Sequence, residues 1–249
     1  MTALARRPIS SAPAGPVAGI HVASWVSPYA WLSTVTVEDE RSGSHTTSSS
    51  HSGGQEAARA VLDKAAHENF PVAPFFLPRA WRTDLMAVYG YARLVDDIGD
   101  GDLAPGGADA ELLGLDRDQA GDALAMLDAF EADLHRVFQP FGEPRHPLLA
   151  ALRPTVHRHG LTPEPFRGLI EANRQDQRIR RYATYRELLD YCELSANPVG
   201  RLVLGITGTA SPERIRHSDA ICTALQIIEH LQDVPRTSAG TASICPPRT

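Results

Sequence analysis

Lysine is almost absent from this chain. Lys64 stands alone, and arginine supplies the rest of the 24 basic residues. Thirty acidic residues outnumber them, so the net charge is −6 and no basic field exists to attract nucleic acid. With the richness in Ala, Gly and Pro, the arginine bias fits GC-rich codons. Cysteine is scarce too. Cys192, Cys222 and Cys245 are scattered and odd in number, which argues against a disulfide framework and for a reducing, cytoplasmic compartment. No apolar run reaches the roughly 18 residues that a membrane span requires. Arg6 and Arg7 precede the mildly apolar "GPVAGIHVASWV", but Pro and polar residues interrupt it, so it makes a poor signal peptide. HExxH, CxxC, GxGxxG and P-loop signatures are all missing, which leaves zinc, nucleotide and dinucleotide chemistry without support.

What is present is ordinary in bulk and uneven along the chain. A hydrophobic content of 43% and a charged content of 22% fit a soluble globular protein. Residues 1–54 are rich in Pro, Ser, Thr and Gly and include the low-complexity run "RSGSHTTSSSHSGG". Such a composition buries too little apolar surface to offset chain entropy, so it reads as a disordered extension or as sequence upstream of the true start. From Ala57 the apolar residues recur with helical spacing. The pattern predicts helices at about 55–68, 79–101, 118–138, 146–159, 163–177, 184–206 and 211–234. Thr162-Pro163-Glu164 and Ser211-Pro212-Glu213 are start signals, Thr184 with Glu187 forms a capping box, and Gly160 sits at a helix end. No strand-like alternation competes, so the body over 55–234 is expected to be all-α.

The helix "TDLMAVYGYARLVDDIGD" carries the clearest chemistry. Asp96 and Asp100 lie four apart and share a face, with Asp97 beside them. The series 89, 93, 96, 100 extends that stripe back through Arg93 and Tyr89. Two carboxylates at this spacing near a helix C-terminus repel each other and oppose the dipole. Mg²⁺ would offset both effects, since it takes carboxylate oxygens while keeping waters and substrate phosphates. A solvated acidic helix end is the plainer alternative. An EF-hand is disfavoured because Ile98 occupies the third loop position.

A second stripe, Gln226, Glu229 and Asp233, runs along the last helix, and Thr237 stands where one more acid would extend it. Alone it reads as a wet helix face. Facing the first stripe across a helical cavity, it would complete a Mg²⁺ cluster. Between the stripes, Asp176 precedes Arg178, Arg180 and Arg181, which suit diphosphate oxygens or else form a basic inter-helix corner. Asn197-Pro198 is expected to kink a helix and Gly200 to permit a close crossing. His67 and Cys192 read as ordinary packing residues.

"YARLVDDIGD" resembles the first aspartate-rich motif of the squalene/phytoene synthase family, and "LQIIEHLQDV" resembles the start of its second. "ENFPVAPFFLPRAWR" and "RYATYRELLDYCELSANPVGRLVL" are most similar to the bacterial hydroxysqualene synthase branch, encoded alongside hopanoid genes. The resemblance covers residues 57 to 234 or so and implies an all-α isoprenoid synthase fold with a central cavity. It implies Asp96, Asp97 and Asp100 as ligands of the first motif, and Glu229 and Asp233, with Gln226, as the second. It also implies that Asn69, Phe70 and Arg93 contact diphosphate or line its pocket, and that Tyr89, Asp176 and Tyr182 are catalytic cavity positions. Glu229 stands where many members have Asn, and Thr237 where the motif's last Asp belongs.

The implied reaction is Mg²⁺-dependent ionisation of presqualene diphosphate to hydroxysqualene. The sister reaction joins prenyl diphosphates such as farnesyl diphosphate head to head. The apolar substrate implies peripheral association with the inner face of a membrane. Family members continue the second motif with an acidic pair, a Gly and a Tyr-Leu-Pro. Codons for residues 235–249 can be chosen so that a shifted frame spells such a run. The expectation is a frameshifted tail over 235–249 and a fold incomplete at its C-terminus. The competing functions are then a catalytically inactive fragment and a non-enzymatic helical binding module.

Overall fold

The computed structural model describes residues 20–21, 52–66, 73–179 and 181–240. The body is all-α. Its helices are α1 (Ser52–Asp63), α2 (Arg79–Asp100), α3 (Ala108–Leu113), α4 (Ala123–Phe138), α5 (Pro147–His159), α6 (Pro163–Asp176), α7 (Tyr185–Ser195), α8 (Asn197–Ile206) and α9 (Pro212–Gly240). Short 3₁₀ turns at Lys64–Ala66 and Arg117–Gly121 follow α1 and precede α4. The expected extension over 1–54 needs correction at two points. β1 (Ile20–His21) pairs antiparallel with β2 (Arg181–Tyr182), and α1 already begins at Ser52. A two-residue strand carries no readable alternation, so only the pairing reveals it.

α2 is the axis of the molecule. Its second half, from Val88 to Ile98, is buried at every residue except Arg93, and α1, α4, α5, α6 and α8 pack around it. Leu94 and Ile98 meet Phe130, Leu149, Leu152 and Leu169 in the main core. Tyr91 stacks on Phe130 at 5.5 Å and meets Phe166 edge-on at 5.1 Å. Its hydroxyl donates to the Phe166 carbonyl at 2.8 Å, so the phenol is buried without an unmet donor. A smaller cluster of Ala172, Tyr182, Leu188, Tyr191 and Cys192 lies under α7. Cys192 and Cys222 are free and buried.

Local signals explain most boundaries. Thr184 accepts the Glu187 N–H at 3.2 Å, while Glu187 reaches back to the Ala183 N–H at 2.8 Å, one residue before the position a strict capping box uses. Ser211 Oγ accepts the Arg214 N–H at 3.2 Å. Thr162 makes no such bond to the backbone of α6. Gly160 ends α5 with φ of 59°. The expected kinked helix over 184–206 is instead two helices, broken at Ala196. Pro198 falls in the first turn of α8, where its missing N–H leaves no bond unmade. Gly200 is the predicted close crossing, since a Cβ there would collide with Ser218 and lie 2.8 Å from Cys222 Sγ on α9. α9 runs past its expected end at 234 to Gly240. α3 falls between the expected helices, since six residues after a Gly-rich run show too little periodicity to predict one.

One buried carboxylate pins α2 to α5. Asp84, 1% exposed, accepts from Thr155 Oγ1 at 2.9 Å, from Arg158, and from His159 Nε2 at 2.7 Å. Burial raises its pKa, but the bonds from His159, Thr155 and Arg158 outweigh that and hold it below the ordinary value. A depressed carboxyl pKa stabilises the fold above the unfolded value and loses that effect as pH falls through the folded one. Asp84→Asn is therefore expected to cost about 2 kcal/mol at pH 7. In urea unfolding followed by circular dichroism, its gap to the parent should shrink once pH drops below about 4.

Candidate active site

α2 carries its three C-terminal carboxylates into different surroundings. Asp97, 1% exposed, receives Lys64 Nζ at 2.8 and 2.7 Å and Arg93 at 2.9 Å. Both of its oxygens are engaged, so the expectation of Asp97 as a metal ligand is corrected to a structural ion pair. Four residues before Asp97, the Arg93 guanidinium pairs with it along the helix. Asp96 is buried and accepts from Asn173 Nδ2 of α6 at 3.3 Å. Asp100 differs. Its Oδ1 is buried with no hydrogen-bond partner. Burial first, then the charge of Asp102 and more weakly of Asp97, push its pKa up to about 7 against the pull of Arg93 and Lys64.

α6 and α7 build the next part. Asp176 is buried and accepts from Tyr191 Oη at 2.9 Å. The Tyr182 ring lies 5.3 Å from that of Tyr191, and its buried hydroxyl has no hydrogen-bond partner. Burial, reinforced by the Asp176 charge, pushes both phenols well above their ordinary pKa, so they act as donors at neutral pH. Tyr89 is buried on α2. Arg178 is exposed at the end of α6, and Arg181 is exposed on β2. Both therefore lie at the surface, at and just beyond the C-terminal end of α6.

α9 supplies the far side. Gln226 is buried with Oε1 lacking a hydrogen-bond partner, and its amide lies 3.3 Å from His230 Nδ1. The His230 ring meets Tyr191 at 6.1 Å. Glu229 is half-buried beside them on the same helix. A polar seam therefore runs from Asp96 through Asn173 to α6, and from Asp176 through Tyr191 to His230 and Gln226. Asn69, Phe70, His67 and the side chain of Asp233 lie outside the described residues. Sequence reasoning missed Asn173, Tyr191 and His230. Asn173 and Tyr191 meet acids on other helices, and His230 meets the Tyr191 ring as well as Gln226 of its own helix, contacts that spacing within one helix does not announce.

Among the described residues, no three His, Cys, Asp or Glu side chains stand close enough to hold an ion together. A cavity of about 550 Å³ opens beside the first half of α2, lined by Leu62, Arg82, Met86, Ala87, Leu148 and Ala151 among others. None of the expected site residues lines it. Its lining residues Met86 and Ala87 lie on the same helix as Asp96, about 15 Å back along the axis from it.

The family model for squalene/phytoene synthase matches residues 63–248. The chain belongs to the squalene/phytoene synthase family. Within that family it is 37% identical over 180 residues to a hydroxysqualene synthase of Zymomonas mobilis, covering 71% of this chain and 54% of that one. It is 29% identical over 182 residues to a presqualene diphosphate synthase of Rhodopseudomonas palustris, covering 70% and 59%. The crystal structure of squalene synthase HpnC from Alicyclobacillus acidocaldarius superposes with a TM-score of 0.59 at 43% identity, over 75% of this chain and 64% of that one. This squalene/phytoene synthase chain spans about half the length of the curated relatives it matches.

Two neighbouring acids should respond in opposite ways. Asp97→Asn strips a buried charge pair and is expected to destabilise the metal-free protein by about 2–3 kcal/mol. Asp100→Asn removes a carboxyl whose raised pKa favours protonation in the fold, so it should stabilise the metal-free protein by about 1 kcal/mol at pH 8. A raised carboxyl pKa weakens the fold progressively as pH rises from the unfolded value toward the folded one. The Asp100→Asn gain should therefore fade toward pH 4. Thermal unfolding across pH 4–8 measures both effects.

Proposed function

We propose that this chain carries the Mg²⁺-dependent half of an isoprenoid diphosphate enzyme that ionises presqualene diphosphate and releases diphosphate, giving hydroxysqualene. The observation that carries this reading is Asp100. Its buried Oδ1 lacks a partner, and its ionised form is disfavoured in the fold. The residues fit a hard cation that keeps part of its shell for water and phosphate. Asp96 and Asp100 would hold it by carboxylate oxygens from one helix face, with Glu229 and Asp233 of α9 as the second stripe. Bound there, Mg²⁺ would supply Lewis-acid stabilisation of the charge on departing phosphate oxygens.

The chain's own groups supply the rest. The carbon–oxygen bond to diphosphate breaks with both electrons leaving on the diphosphate. Tyr182, with a hydroxyl that stays protonated, donates a hydrogen bond to developing negative charge. Asp176 holds Tyr191, so the adjacent Tyr182 and Tyr191 rings present their faces to a carbocation. Tyr89, buried on α2, is a further aromatic candidate for that role. Water then adds to the cation and loses a proton, completing the alcohol. The apolar cavity beside α2 suits the hydrocarbon tail. An apolar substrate and product would suit work at the inner face of a membrane; among the described residues no helix is long and apolar enough to cross one.

A second reading, head-to-head transfer from farnesyl diphosphate, is favoured by the resemblance to a presqualene diphosphate synthase. Incubation with Mg²⁺ and each substrate, followed by product chromatography and diphosphate assay, separates the two. Hydroxysqualene from presqualene diphosphate is expected. Asp96→Asn or Asp100→Asn should lower its rate about 100-fold or more. Turnover of farnesyl diphosphate alone would favour the second reading. No Mg²⁺-dependent diphosphate release from either substrate would return the chain to an inactive fragment.

A further inference from the structure

Asn173 lies outside every motif of the sequence, yet it is the described side chain that joins α6 to an acid of the first motif. It is 4% exposed. Its Nδ2 donates to Asp96 Oδ1 at 3.3 Å and to the Leu169 carbonyl at 3.2 Å. Both amide hydrogens thus meet acceptors. Flipping the amide would press its oxygen against a carboxylate and a carbonyl, so the orientation is fixed by its partners. Oδ1 consequently points the other way, against the backbone of α2 at Gly99. A Cβ on Gly99 would overlap that oxygen and lie 3.0 Å from Cγ of Asn173. One turn on, Gln177 Nε2 donates to the Gly99 carbonyl at 2.9 Å. Two side chains of α6 therefore clasp α2 at its one residue without a Cβ between Asp96 and Asp100. The backbone of Gly99 is helical and would accept alanine, so the obstacle to a side chain there is Asn173.

We propose that Gly99 is a notch that admits Asn173, and that Asn173 is a positioning residue that sets the Asp96 carboxylate for a divalent cation. The second clause rests on the Mg²⁺ reading above; the first does not. Partners of metal-binding carboxylates act this way in general, by fixing the ligand before the ion arrives.

The test uses the full chain, with Mn²⁺ plus inorganic diphosphate as the probe, read by electron paramagnetic resonance, and metal-free thermal unfolding as a separate arm. Gly99→Ala should lower the unfolding midpoint, and adding Asn173→Ala should recover most of that loss. A midpoint for Gly99→Ala at or above the parent's overturns the notch. In the probe arm, Asn173→Ala should weaken Mn²⁺ binding about tenfold. Asn173→Leu, which keeps the volume and removes both donors, should do the same if the alanine variant fails to fold. Asp96→Asn marks the loss of the site itself. Mn²⁺ affinity within twofold of the parent in a folded Asn173 variant overturns the positioning role and leaves the cation reading standing. Absence of Mn²⁺ binding by the parent overturns both, while the unfolding arm still decides the notch.

Discussion

The structure depends on how one buried helix disposes of its carboxylates. α2 runs through the middle of the molecule and carries Asp84, Asp96, Asp97 and Asp100 in buried or half-buried positions. An ionised group taken out of water is disfavoured by several kcal/mol unless partners replace the lost hydration. Asp84 finds Thr155, Arg158 and His159. Asp97 finds Lys64 and Arg93. Asp96 finds Asn173. Asp100 keeps a buried oxygen with no hydrogen-bond partner, and its raised pKa registers that. The first two arrangements hold helices together. The last two form the part of α2 poised for a ligand.

This division also explains the seam that continues away from α2. Asn173 and Asp176 are three apart on α6, so one face of that helix meets Asp96 on one side and Tyr191 on the other. Tyr191 then reaches His230 on α9, which carries the second acidic stripe. Among the described residues, polar side chains of α6 and α7 link the first stripe to the helix of the second. Such a site gains its remaining oxygens from diphosphate and water, and Mg²⁺ favours that mixed shell.

The helical body was readable because its apolar spacing is long and regular, and because Thr184, Ser211 and Gly160 mark their ends by chemistry local to the chain. Asp96 and Asp100 were readable for the same reason, since spacing on one helix fixes which side chains share a face. Partners from elsewhere were not. Asp97 looked equivalent to its neighbours because Lys64 lies 33 positions away in sequence. The Arg93–Asp97 pair is one that i, i+4 spacing permits but does not by itself require. The break at Ala196 was visible only as Asn197-Pro198, whose effect depends on whether proline falls within a helix or begins one. Asn173 carried no signal, because a lone buried amide gains its meaning from Gly99 on another helix.

The central claim is that Asp100 is the carboxylate of α2 left for a cation to satisfy. Carbon-13 NMR of the carboxyl carbons, with Asp100→Asn for assignment, follows its titration directly. The account predicts a midpoint near 7 in the metal-free chain, as burial and neighbouring acids dictate. It predicts a fall to or below the ordinary carboxylate value when Mg²⁺ and diphosphate are added. A midpoint at the ordinary value of about 4 in the metal-free chain, unmoved by Mg²⁺ and diphosphate, would contradict it.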